Sequence, residues 1–93
     1  MFVGIVRIEL HVPGASSLKD KRSVVRSLKD RIRERCSAAV AEVDHQDLWQ
    51  RCALGVVVVS GTSHHIDELL QSVRQQVYST PGAELLDWQE QRA

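Results

Sequence analysis

Neither sign of charge is in excess in this 93-residue sequence, where twelve Lys and Arg are matched by twelve Asp and Glu. A neutral total removes any whole-molecule attraction to nucleic acid or to a membrane surface. Cysteine is scarce: only Cys36 and Cys52 are present. That excludes a disulfide scaffold, because secreted domains of this size are usually dense in cysteine, and both thiols are expected to be small buried hydrophobes. No apolar run approaches the ~20 residues needed to span a bilayer. The opening MFVGIVRIEL has no basic stretch ahead of its apolar residues and does not read as a signal peptide, so the cytoplasm is the expected location. With 43% hydrophobic and 26% charged residues, the composition suits one globular domain over residues 1–93.

What charge there is lies unevenly. Residues 19–35 hold eight basic residues against Asp20, Asp30 and Glu34, a local balance of +5 that the rest of the chain offsets. Such a segment makes a local electrostatic footprint on a neutral molecule.

Residues 2–12 alternate, with Phe2, Gly4, Val6, Ile8, Leu10 and Val12 on one face and Val3, Ile5, Arg7, Glu9 and His11 on the other. Period two predicts a half-buried strand, and Pro13-Gly14 ends it. Ser17 is a suitable N-cap for a helix over Leu18–Cys36, with Asp20 complementing the helix N-terminus. Leu18, Val25, Leu28, Ile32 and Cys36 form its apolar stripe. Residues 38–44 read as a second strand and 51–60 as a third, whose four consecutive valines predict a central strand buried on both faces. Thr62 or Ser63 caps a second helix over His64–Tyr78, and residues 83–89 form a last short strand before a polar tail. The order β-α-β-β-α-β predicts an α+β, ferredoxin-like sandwich, a four-stranded antiparallel sheet with both helices on one face. The other face is left open, either as ordinary exposed surface or as the seat of a second subunit.

The segments SSLKDKRSVVRSLKDRIR and VAEVDHQDLWQRCALGVVVVS resemble the YlxP-like family, small bacterial proteins classed as a domain of unknown function. The likeness runs over most of the chain. Its most specific parts are the Leu-Lys-Asp-Lys-Arg start of the first helix and the Asp-His-Gln-Asp-Leu-Trp-Gln loop. The resemblance implies a ferredoxin-like fold. It also implies a connection to RNA or the ribosome, since these genes often accompany those for ribosome maturation and translation. It carries no catalytic residues to transfer.

On a helical wheel Arg22, Arg26, Lys29 and Arg33 fall within roughly 60° of one another, with Lys19 beside them. This cationic stripe, read as lying opposite the apolar one, suits phosphates, which accept paired hydrogen bonds from Arg; a plain solvated face is the alternative. Lys21 sits nearer the apolar side and is expected to pair with a carboxylate such as Asp44 or Asp47. Asp44, His45 and Asp47 are of types that bind a metal or act as acid and base, but their spacing matches no established ligand motif and they are expected to be turn formers and caps. Trp49 is expected to pack under its loop, the other role being a stacking surface for a base; Trp88 is expected in the core or an interface. His64-His65 reads as exposed capping material. No cofactor or metal is called for.

Rivals of the same topology are disfavoured. An RNA-recognition module places aromatics on its third strand, where this chain has none. Acylphosphatase chemistry pairs Arg with Asn, and the sequence contains no Asn. A metallochaperone would show Cys-x-x-Cys. The expected function is therefore a non-catalytic accessory protein contacting RNA or the ribosome through the basic helix. The alternative is a homodimeric scaffold or regulatory module using the open sheet face for a protein or small ligand.

Overall fold

The computed structural model describes residues 1–93 as six elements: β1 (Phe2–His11), α1 (Leu18–Cys36), β2 (Ala39–Asp44), β3 (Arg51–Ser60), α2 (Ser63–Ser79) and β4 (Glu84–Arg92). The strands form one sheet in the order β2-β3-β1-β4, with every pairing antiparallel. This is the expected βαββαβ sandwich. Val6, Ile8 and Leu10 of β1 and Leu54, Val56 and Val58 of β3 meet Val25, Leu28 and Ile32 of α1 and Ile66, Leu70, Val73 and Val77 of α2 in one core. Both helices therefore cover the same face of the sheet.

Local chemistry sets the helix boundaries. The Ser17 hydroxyl accepts from the Asp20 backbone N–H at 3.1 Å, which satisfies one of the orphan donors of a helix start. Asp20 in turn accepts from the Ser16 N–H at 3.0 Å and hydroxyl at 2.9 Å, and these bonds hold its carboxyl below the ordinary carboxylate range. Thr62, not Ser63, caps α2 by accepting from His65 N–H. Gly4 is where α2 crosses closest to the sheet: a Cβ there would stand 2.8 Å from Ile66 Cγ2 and 3.1 Å from Leu70 Cδ1. Only glycine fits that spacing without displacing the helix.

Two expectations are corrected. The valine run is central, but it is not buried on both faces: Val56 and Val58 enter the core, while Val57 and Val59 are 41% and 55% exposed on the open face. The last strand does not stop at residue 89. It runs to Arg92 because β1 offers backbone partners as far as Gly4, and hydrogen bonds between Val3 and Ala93 close the end. No helix is long and apolar enough to cross a membrane.

Candidate functional site

The stripe of Lys19, Arg22, Arg26, Lys29 and Arg33 does not lie opposite the apolar stripe of α1, and Arg31 lies apart from it, donating to the Ser79 carbonyl at the end of α2. The stripe occupies the flank facing the free edge of the sheet, where Arg33 Nη2 donates to the Val40 carbonyl of β2 at 2.9 Å. Arg33 is thus partly committed to capping an edge strand, and it lies 3.8 Å from Asp30. Lys19, Arg22, Arg26 and Lys29 make no hydrogen bond or ion pair within the chain, and Lys19, Arg22, Ser23 and Arg26 line a shallow hollow. The other cations behave differently. Arg7, Lys21, Arg31, Arg33, Arg51, Arg74 and Arg92 all engage partners within the fold. Of the twelve Lys and Arg, only those four and Arg35 are left without one, and all five are on α1.

Lys21 is 1% exposed. Its ammonium reaches across to the β2–β3 connection and donates to the His45 carbonyl at 2.8 Å, the Gln46 carbonyl at 3.1 Å and the Arg51 carbonyl at 3.3 Å. Its carboxylate partner is Glu42 Oε2 at 3.1 Å, not Asp44 or Asp47. A β-bulge explains the difference. Glu42 pairs with Leu54 on the helix-covered face, but the register shifts after Glu42, so Asp44 pairs with Ala53 and projects to the open face. Asp47 forms no bond within the chain. His45 takes a left-handed backbone (φ 63°), which orients its carbonyl towards Lys21. The Leu48 N–H donates back to the His45 carbonyl at 3.0 Å, and Gln50 Nε2 ties the far side of the loop to the Pro13 and Ala15 carbonyls at 3.2 and 3.1 Å. Trp49 does not pack beneath this loop; it is 54% exposed at the tip, beside Leu48 at 48%.

The open face divides into two halves. Val3, Ile5, Val57 and Val59 are paired across β1 and β3 at one end. At the other end Glu9 accepts from Arg7 at 2.8 Å and Arg51 at 3.2 Å and lies 3.1 Å from His45 Nε2. Burial works against the Glu9 charge, yet these three partners outweigh it and hold the carboxyl below its ordinary value. Asp44 is held low by the His45 backbone N–H and then by Arg7. The Arg7 guanidinium is raised by Glu9 and then Asp44. Sequence reading did not single out this network, although Arg7 and Glu9 fall on one face of β1 with Arg51 on the adjacent strand.

No three histidine, cysteine or carboxylate side chains come together at metal-binding distance. His64 and His65 are exposed beside Glu68. Cys36 and Cys52 are free and buried, and burial, followed by the nearby Glu42 charge, pushes the Cys52 thiol up to about 12, which leaves it a poor nucleophile. Trp88 is half-buried against the core with Arg74 stacked 4.9 Å above it.

The sequence profile of the family described as "Protein of unknown function (DUF503)" matches residues 3–90. The chain belongs to the DUF503 family. A relative in Bacillus subtilis (strain 168), "Uncharacterized protein YlxP", is 30% identical over 82 residues, covering 88% of this chain and 89% of that one. Among solved structures this DUF503 chain is similar to the de novo designed protein Foldit4 (TM-score 0.56, 12% identity, 98% of this chain and 96% of that chain). It is also similar to the designed protein LFR1 1 with ferredoxin fold (TM-score 0.57, 11% identity, 100% and 84%). At such identities the likeness concerns the fold alone, so nothing about the DUF503 site comes from it.

Proposed function

We propose that this protein is a cytoplasmic accessory protein that contacts RNA or the ribosome through the basic flank of α1. The observation that carries the reading is the division among the cations. In a chain of zero net charge, nearly every other Lys and Arg is engaged internally, while Lys19, Arg22, Arg26 and Lys29 are gathered on one flank with no partner. Unpaired cations on a rigid helix are suited to phosphates, and contacts of this kind supply affinity and position without sequence choice. Cosedimentation with ribosomal subunits and with naked RNA tests it. Neutralising about four phosphates predicts a ~50- to 150-fold loss of affinity between about 50 and 200 mM salt. Arg22→Glu combined with Arg26→Glu is expected to abolish the association and leave the melting temperature unchanged. Undiminished binding by that variant would overturn the reading.

The open sheet face favours a second reading, self-association. Val57, Val59 and Val43 expose 41%, 55% and 46% of their surface there, next to Val3 and Ile5. This is more β-branched side chain than a solvated sheet face needs.

A further inference from the structure

We propose that Trp49 is a stacking platform for an unpaired RNA base, so that this protein binds single-stranded or looped RNA in preference to a continuous duplex. The inference rests on the RNA reading above and narrows it.

Three observations meet at the tip of the β2–β3 connection. The indole plays little part in holding its own loop. Lys21 fixes three backbone carbonyls, Gln50 fixes two more, and the Leu48 N–H closes the turn. Trp49 nevertheless stands 54% exposed, and its Nε1–H has no partner in the chain. Trp88 is used quite differently: its ring packs against the core under Arg74 and its Nε1–H donates to Glu90 at 2.7 Å. A large apolar ring kept in water on a rigid support is preorganised for a flat apolar ligand, and every base has such a face. Beside the ring, Asp47, Leu48, Gln50 and Arg51 complete a hollow; the Gln50 amide N–H groups and Arg51 are held by Pro13, Ala15 and Glu9, which leaves the Asp47 carboxylate uncommitted there. An unpaired Asp47 carboxylate there accepts from base amino groups while discouraging phosphate, which separates the base-binding tip from the phosphate-binding flank.

Placement supports the same ligand. Lys21 joins this loop to the first turn of α1, so Trp49 and the Lys19–Arg22 end of the basic flank share one end of the molecule. Lys21, between Lys19 and Arg22 in sequence, touches the loop that carries Trp49, so one strand can run from the flank to the ring. A duplex can lie along the flank, but its bases are already stacked and offer none to the indole.

Fluorescence tests the proposal, because the chain has two tryptophans. In Trp88→Phe protein, Trp49 is the only indole. Its emission is expected to be quenched saturably by a short single-stranded oligoribonucleotide and not by the matching duplex. In otherwise unaltered protein, Trp49→Ala is expected to weaken single-strand binding by ~5- to 150-fold and to leave duplex binding and the salt dependence alone. If Trp88→Phe does not fold, this second comparison decides. RNA binding that is lost with Arg22→Glu and Arg26→Glu but indifferent to Trp49→Ala would overturn the platform and leave the flank reading standing. Absence of any RNA binding would overturn both.

Discussion

Lys21 is the least expected resident of the interior, and its position has a physical reason. The hairpin base after β2 turns three carbonyls inward, and each needs a donor. An ammonium has three protons and a long apolar stem, so a single side chain from α1 supplies the donors and fills the space. Glu42, with its side chain 19% exposed, balances the charge while keeping contact with water. Lys21→Met retains the stem and deletes the donors. It leaves Glu42 and the Gln46 and Arg51 carbonyls to solvent that reaches them poorly, while the His45 carbonyl keeps the Leu48 N–H, at an expected cost of ~2–4 kcal/mol, measured by urea unfolding. A change below the error of that measurement would mean that water replaces the ammonium. The inward turn of Lys21 was legible from its place on the helical wheel. Its partner was not, because Glu42 and Asp44 have the same parity along the strand and only the bulge between them sends Asp44 to the opposite face.

Elements with a chemical signature at both ends were legible, and those defined by their neighbours were less so. The bounds of α1 follow from Ser17 and the apolar period that ends at Cys36, and the structure adds a left-handed Ser37 at the C-cap. Those of α2 follow from Thr62 and a similar stripe. The last residues of β4 carry no such signal: Glu90, Gln91 and Arg92 are polar and become strand only because β1 lies alongside. A run of valines is equally silent about which face is covered, since Val56 to Val59 read alike and alternate between core and solvent in the fold. Gly4 shows how one residue sets the spacing between elements. Gly4→Ala places a methyl against the Cγ2 methyl of Ile66, which hangs from the branched Cβ and has little χ1 freedom within a helix. α2 must then shift, and a destabilisation of ~1–3 kcal/mol is expected. Gly14, whose Cβ would meet nothing within 4 Å, is the control. Equal effects of alanine at the two positions would show that backbone freedom, not contact with α2, is what Gly4 provides.

The whole molecule presents two dissimilar layers, and the physics of each selects a different kind of partner. The helix layer carries the unpaired cations and repels a copy of itself. The sheet layer carries Arg7 and Arg51 bonded to Glu9 and Asp44, with Asp87 and Glu84 of β4 on the same face, so its apolar end, not its charged end, is what suits a second copy. Four strands spaced ~4.8 Å apart and a ten-residue β1 give a face of roughly 600 Å². That approaches the ~800 Å² each partner contributes to a standard stable interface. Packing sheet to sheet buries Val57, Val59 and Val43 and leaves both α1 flanks outward, so self-association and RNA contact are compatible, and a dimer gains avidity from two flanks. Val57→Glu tests this at the scale where it belongs. In sedimentation equilibrium the unaltered protein is expected to dimerise with little dependence on salt. The variant should be monomeric with an unchanged melting temperature, because Val57 is open to solvent in the single chain. Its RNA affinity should fall only by the lost avidity, not by the steep factor expected of Arg22→Glu with Arg26→Glu. An unaltered protein that stays monomeric at every concentration would refute self-association. The valines would then be ordinary exposed strand residues, and the basic flank would act from a single copy.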